Sequence, residues 1–384
     1  MTTAEIAAWL EPRPAEMLAL LRQWVEMETP SLEPERVGAL ARAVAEAFAA
    51  LGYAPRFHEH ALELARAGAS DATLVLGHLD TVYPAGTLAT MPFRIEGDRA
   101  HGPGVYDMKG GVVQALFGLR ALAALAPEAA LPSPLLFVYD EETGSRGSRA
   151  LTEARARAAR RALVLEPAAG EEGKLKIARK GIALYRLEAH GQAAHAGVDF
   201  ESGASAIVEM AERVAEIASW SDAERGVTAN CGVMAGGTRV NVVAAHAQAE
   251  LELRAWSASD LQGLDRRMHG LRPRNPRVRL EASGGINRPP MEATEASLAL
   301  AAEAQRVAAE VGLALGTSRT GGGSDGNFTA ACGCPTLDGL GLVGAGAHAP
   351  HEHILISSLV TRTAVLAGML AGSAGAAPRA KGLR

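Results

Sequence analysis

The sequence predicts an α/β chain, a mostly parallel sheet covered by helices, into which a smaller α+β unit is inserted. Three observations lead there. The apolar runs Thr73-Leu74-Val75-Leu76-Gly77, Leu135-Leu136-Phe137-Val138-Tyr139 and Ala162-Leu163-Val164-Leu165 are each cut off by a polar residue, as strands buried on both faces are. Helical patterns alternate with strand patterns from about 14 to 178, the order that packs helices over a parallel sheet. From about 179 to 286 the apolar period changes to two, as in strands with one face exposed.

In chain order, residues 36–51 (RVGALARAVAEAFAAL) read as an amphipathic helix stopped by Gly52, and 109–126 as a largely apolar helix closed by Pro127. The next strand runs into Asp140-Glu141-Glu142. A helix rich in Ala and Arg follows, and then the strand that ends on Glu166. In the middle region 181–190 alternates as a strand, 203–219 is helical, 239–254 reads as one long alternating strand, and 260–271 is helical again. Pro289-Pro290 closes this region, and the α/β pattern resumes through Leu315, a glycine-rich loop and a last helix. The boundaries give a discontinuous outer domain, 1–178 with 287–384, and an inserted one, 179–286. Residues 374–384, small and basic, are expected to fray.

The chain has 384 residues, room for two domains of ordinary size. A net charge of −5, with the cations dispersed apart from patches such as 155–161, offers no basic face for nucleic acid or anionic membrane. Cys231, Cys332 and Cys334 are too few for a disulfide framework, and Cys332-Gly333-Cys334 lacks the C-x-x-C spacing of redox and zinc motifs, which leaves apolar packing. Residues 1–13 show no basic stretch leading into an apolar one, and no apolar stretch reaches the ~20 residues a bilayer requires. A cytoplasmic location is expected.

Chemistry concentrates at the strand ends, where open α/β sheets bind ligands. His78-x-Asp80, Asp107, Glu141-Glu142, Glu166 and His348 offer imidazole and carboxylate, ligands that suit zinc and its first-row neighbours. His78 and Asp80 share one side of an extended backbone, so one can bind a metal while the other receives the ring N–H. Asp107 lies in a loop running into a helix (GPGVYDMKGG, 102–111), where a carboxylate could bridge two metals. The adjacent acids Glu141 and Glu142 point apart, so that one can coordinate and the other act as general base. A lone histidine or strand-end aspartate is ordinarily structural; it is the convergence of five candidate ligands and two helpers that points to a metal site. The loop 321–326 (GGGSDG) lacks the spacing of a phosphate-binding loop.

Gly77-His78-Leu79-Asp80-Thr81-Val82, Gly102-Pro103-Gly104-x-x-Asp107-x-Lys109-Gly110 and Asp140-Glu141-Glu142-x-Gly144-Ser145 resemble the signature blocks of the M20 metallopeptidases. The resemblance spans about 70–372. Through 78–111 it is strongest to the bacterial folate-cleaving glutamate carboxypeptidases. It implies a zinc-exopeptidase-like fold with an inserted lid and dimerisation domain, and two Zn2+ per chain, for which Co2+ or Mn2+ could substitute. His78 and Glu166 would hold one ion, Glu142 and His348 the other, and Asp107 would bridge them. His348, in Gly346-x-His348 followed by Glu352, matches the final block better than His351 or His353 does. Glu141 would be the general base and Asp80 would orient His78. The family's glutamate carboxypeptidases and desuccinylases carry Glu at the position of Glu166, whereas its carbamoyl-amide hydrolases carry His.

The resemblance also implies that His195, in Gly191-Gln192-Ala193-Ala194-His195-Ala196-Gly197, polarises the scissile carbonyl; in dimeric relatives the partner subunit supplies it. Asn241 and Arg254 would contact substrate, Arg288 would pair with an α-carboxylate, Lys174 would hold a glutamate side chain, and Gly322 would line the pocket through its backbone. Arginine suits the bidentate role. The expected activity is a carboxypeptidase releasing C-terminal glutamate or a similar residue from N-acyl or peptidyl conjugates, in a homodimer formed through the inserted domain, with no nucleic-acid or membrane partner. The rival within the family is an N-deacylase or desuccinylase, resembling acetylornithine deacetylase or succinyl-diaminopimelate desuccinylase. A non-catalytic binding protein on the same fold would be marked by loss of Glu141 or a ligand, and none is lost.

Overall fold

A six-stranded sheet forms the centre of the computed structural model, which describes residues 1–67, 73–127, 131 and 134–372. The strand Thr73–His78 lies between Leu135–Val138 and Arg161–Val164 and runs parallel to both; Thr336–Leu337 extends the sheet, parallel to the last. On the other side Ala61–Ala65 and Ala54–His58 add antiparallel strands. The three strands read from the sequence are buried along their whole length. The reason is a core on each face. Val75, Leu135, Phe137 and Leu163 join one cluster, with Trp24, Phe48 and Phe117, while Leu74, Leu76, Leu136, Val138 and Val164 join the other. Cys334 is buried in the second cluster and Cys332 packs against it. The antiparallel edge was not anticipated, because Ala54–His58 is exposed throughout and has no apolar pattern to read.

The helix Pro34–Ala49 begins on a proline, whose missing N–H costs nothing at a helix start, and the chain leaves it through Gly52 at φ 78°. The helix Gly110–Leu125 is buried on nearly all sides. With the turn before it, it forms a 21-residue apolar segment, Val105–Leu125, long enough to cross a membrane by length and composition, and 78% of its most apolar 18-residue stretch is buried inside the fold. The sequence reading expects no apolar stretch of that length; Asp107, Lys109 and Arg120 interrupt this one, and its surroundings are those of a core helix. Gly111 lets this helix close on the sheet, since a Cβ there would lie 2.4 Å from the carbonyl oxygen of Leu165. A small antiparallel sheet, Arg94–Glu96, Arg99–His101, His353–Leu355 and Gly344–Ala345, ties the segment before Asp107 to the segments that flank His348.

The chain divides into two compact units, Met1–Ile177 with Ala293–Thr320 and Ser324–Arg384, and Ala178–Glu292 with Gly321–Gly323. The second holds a four-stranded antiparallel sheet in the order Thr228–Gly236, His246–Ala255, Gly181–His190, Arg279–Arg288. Its helices Ala206–Ala218 and Ala258–His269 start at Ser205 and Ser257, whose hydroxyls accept from Val208 N and Asp260 N. They bury Ala183, Tyr185, Leu187 and Ala189 on one face, while the alternate residues of Gly181–His190 face outward. The strand expected over 239–254 begins only at His246. Residues 239–245 instead follow the loop before Phe200, through Val243 N to Ala194 O and Gly191 N to Ala245 O. Thr228–Gly236 was not foreseen, since it carries glycines, a register shift at Cys231/Val233 and little buried surface. The expected fraying of 374–384 lies outside the described residues.

Candidate metal centre and substrate-binding residues

His78 ends its strand with the ring almost wholly buried. Its Nδ1 lies 3.0 Å from the carbonyl oxygen of Asp80 and 3.4 Å from Asp80 Oδ1. A carbonyl acceptor at Nδ1 places that nitrogen's proton and leaves Nε2 for the site. Nε2 lies 3.1 Å from Asp107 Oδ1 and 3.6 Å from Glu166 Oε1. The Asp80 carboxylate does more than the sequence suggested. It accepts from Ser31 Oγ at 2.6 Å and from the backbone N–H groups of Glu141 and Glu142 at 3.3 and 3.2 Å. One buried aspartate thus aims both the first imidazole and the acid pair.

Asp107 stands on a tight loop. Gly104 has φ 71°, and a Cβ there would meet Thr81 Cγ2 at 2.5 Å. The loop is held by Glu352, fully buried, whose carboxylate accepts from the N–H groups of Gly104, Tyr106 and Asp107 at 3.1, 2.9 and 3.0 Å. Burial pushes the Glu352 carboxyl up to about 7 against those donors. Nearby, Lys109 is buried with no hydrogen-bond partner at Nζ among the described residues, and burial draws its pKa down to about 7. His348 takes a left-handed backbone, φ 62°, uncommon outside glycine and a feature of functional sites. Its Nε2 reaches Glu142 Oε2 at 3.0 Å and Asp107 Oδ2 at 3.4 Å.

Two triads result, His78/Asp107/Glu166 and Asp107/Glu142/His348, each with ligand atoms within 4.8 Å of one another. They share Asp107, which turns Oδ1 to one histidine and Oδ2 to the other, the disposition of a carboxylate bridging two cations. The five ligands named from the sequence are therefore brought together. The electrostatics fit positive charge. Burial opposes ionisation of Asp107, yet His348 and His78 hold it well below the usual carboxylate range. Hydrogen bonds from His348 to the carboxylates of Asp107 and Glu142 raise its pKa to about 10. Burial would lower His78, but Asp107 and Asp80 lift it well above the ordinary imidazole value. Burial raises the Glu142 carboxyl, and its Oε1 is enclosed with no hydrogen-bond partner among the described residues. Carboxylates and imidazoles gathered this closely call for positive charge between them, so the donor set fits a metal centre.

Glu141 belongs to neither triad, although it is adjacent to Glu142 in the turn Glu141–Thr143 closed by Gly144 at φ 91°. His351 and His353 also stay outside both triads, and His353 stacks on His101 at 5.2 Å.

The residues expected to meet substrate are placed as follows. His195 is exposed, and its Nδ1 accepts from Gly197 N and Val198 N at 3.2 and 3.1 Å. That leaves Nε2 as the donor, the tautomer required to polarise a carbonyl. Asn241 is exposed and its backbone carbonyl accepts from Ala196 N. Arg254 is engaged within its own unit, forked onto Glu252 at 2.6 and 2.8 Å with Nη1 on the Gly321 carbonyl at 2.6 Å. Arg288 is buried at the end of its strand, against the backbone of Gly323. Gly322 is braced by Arg179, which donates to its carbonyl and to that of Gly323 at 3.1 and 2.8 Å. Lys174 is 41% exposed and pairs with Glu172 at 2.5 Å. Reasoning from the sequence missed Ser31, Arg179 and the loop-anchoring role of Glu352. Glu352 alone had a signal, its place after His348.

A carboxylate shared by two imidazole–carboxylate triads at the carboxyl edge of a parallel sheet, with a further glutamate beside them, defines the class: a metal-dependent hydrolase. Comparison with known proteins gives the family. Residues 74–372 match the model of peptidase family M20/M25/M40, and the chain belongs to that family of peptide and amide hydrolases. It is 34% identical to Carboxypeptidase G2 of Pseudomonas sp. (strain RS-16), over 79% of this chain and 74% of that one. It is 29% identical to succinyl-diaminopimelate desuccinylase of Verminephrobacter eiseniae, over 74% of each. The fold matches that of aminopeptidase PepT from Bacillus cereus, with a TM-score of 0.75 and 21% identity, covering 94% of this chain and 99% of that one.

Proposed function

We propose that this protein is a di-zinc carboxypeptidase that releases C-terminal glutamate or a similar residue from N-acyl or peptidyl conjugates. The observation that carries the hydrolytic reading is the division of labour in the acid pair, Glu142 inside a triad and Glu141 outside it. Similarity to Carboxypeptidase G2 supports the carboxypeptidase specificity, and Glu166 accords with it.

Bound metal ions would polarise the scissile carbonyl and lower the pKa of water towards ~7. Glu141 takes the proton from the attacking water and later delivers it to the leaving amine nitrogen. His195 donates from Nε2 to the carbonyl oxygen as negative charge develops there. Arg288 and Lys174 hold the two carboxylates of the departing glutamate, and Asn241, Arg254 and the backbone at Gly322 complete the recognition. Three unpaired cysteines accord with a reducing, cytoplasmic setting.

A hydrolysis screen of the zinc-loaded enzyme tests the specificity. N-acyl and peptidyl glutamates are expected to be cleaved in preference to N-acetylornithine and N-succinyl-diaminopimelate. The reverse order would establish the desuccinylase or deacylase reading, which similarity to the desuccinylase supports.

Two triads predict two tightly held ions per chain. Elemental analysis after zinc loading and removal of loose metal is expected to give two equivalents, and a value of one at saturation would count against the shared-carboxylate arrangement.

The second unit is proposed as the dimer contact. Thr228–Gly236 is an edge strand of its sheet, and Val233, Met234, Ile207 and Val208 expose apolar surface on it and on the neighbouring helix, the kind of material symmetric interfaces cover. Sedimentation at micromolar concentration should show twice the 39.8 kDa chain mass; a monomer would overturn the proposal and confine His195 to its own chain.

A further inference from the structure

A third group of metal-ligating side chains lies on the outward face of the second unit's sheet, separate from the two triads. His190 and His246 are direct cross-strand partners, their rings 5.2 Å apart. Glu188, two residues before His190, shares its face, and Glu281 comes from the strand on the other side. Ligand atoms of Glu188, His190 and His246 all fall within 4.8 Å of one another. His190 Nε2 is enclosed and has no hydrogen-bond partner among the described residues. Two carboxylate oxygens face it, Glu188 Oε2 and Glu281 Oε2, each at 3.7 Å. Those distances are too long for hydrogen bonds, but they are close to the ~3.3–3.4 Å that separates neighbouring ligand atoms around a tetrahedral ion with bonds of about 2.0–2.1 Å.

The arginines nearby do not occupy this centre. Arg186 takes Glu188 through Oε1 at 2.9 Å, and Arg279 takes Glu281 through Oε1, so each acid keeps its second oxygen turned inward. Two imidazoles and an inward carboxylate oxygen, on two paired strands of one sheet, make a donor set for borderline divalent ions.

We propose that Glu188, His190 and His246 form an exchangeable surface site for a first-row divalent cation, with zinc and nickel the best matched. An ion there would link two paired strands where Gly181–His190 gives way to the segment carrying His195.

The test uses the zinc-loaded full-length enzyme. Wild type and a His190→Ala/His246→Ala variant are dialysed against a series of free zinc concentrations from micromolar to sub-millimolar, and bound zinc is measured by elemental analysis. Wild type is expected to take up one equivalent more than the variant, and to gain a zinc-dependent rise in melting temperature that the variant lacks. The difference is independent of how many ions the main centre holds. A failure of the two-ion reading would move the shared baseline, whereas equal uptake by both proteins at every concentration would overturn this site. If the double variant folds poorly, His246→Gln, at an exposed position, serves instead. Loss of the extra equivalent in that variant supports the site, and its retention overturns it.

Discussion

Replacing Glu141 by glutamine is expected to lower kcat by at least about 10²–10⁴-fold, the contribution of a positioned general base, while the protein keeps its metal. The amide preserves size and polarity but cannot take a proton from water. Because Glu141 lies outside both triads, no ligand is lost. Glu142→Gln should fail differently. Its Oε2 approaches His348 at 3.0 Å in the second triad, so the change removes a charged ligand and the defect should appear as metal loss on dialysis, with activity partly restored by excess zinc. Measuring kcat and metal content on both variants separates the roles. A Glu141→Gln enzyme that retained most of its kcat would show that the base is misassigned.

Arg288→Ala is expected to reduce kcat/KM by roughly 2–5 kcal/mol for every substrate with a free α-carboxylate, the cost of leaving a desolvated charge unpaired. Arg288 is 4% exposed, so truncation also opens a cavity, and the control is a substrate whose α-carboxylate is amidated. The variant should lose its preference for the free acid over the amide, whereas packing damage alone would lower both. Lys174→Ala should act more narrowly. Its ammonium is 41% exposed and shared with Glu172, a setting in which an ion pair contributes little on its own. Only the preference for an acidic terminal side chain should shrink. An Arg288→Ala enzyme that still favoured the free acid as strongly as wild type would remove Arg288 from recognition.

The buried half of this protein was legible because burial writes on sequence. The strands ending at His78 and Glu166 are covered on both faces and so read as unbroken apolar runs, and their terminal polar residues stand out. The Asp107 loop and His348 carry no such pattern. They were found through motif resemblance, since their positions depend on glycine conformations and on hydrogen bonds to residues far along the chain. Ser31, 49 residues from Asp80, leaves no local trace at all. The period-2 stretch before His246 misled for the opposite reason. Val240, Val242 and Ala244 alternate without forming a strand, because the backbone there pairs with the 191–195 segment instead. Arg254 shows the remaining gap: sequence supplies a guanidinium, but only coordinates show that Glu252 already holds its fork.

The anchoring of the Asp107 loop by Glu352 has a consequence for synthesis. The N–H of Asp107 is held by a carboxylate 245 residues downstream, and the second triad needs His348 from the same region. Four of the five candidate ligands emerge from the ribosome before that region, but the loop that aims the shared one stays unanchored until Glu352 has been made. Contacts of such sequence separation form late in folding, so metal acquisition waits on synthesis through Glu352. A chain ending before Gly344 should not retain two ions even if its sheet forms. Two tightly bound equivalents in such a fragment would show that the centre assembles without its C-terminal brace.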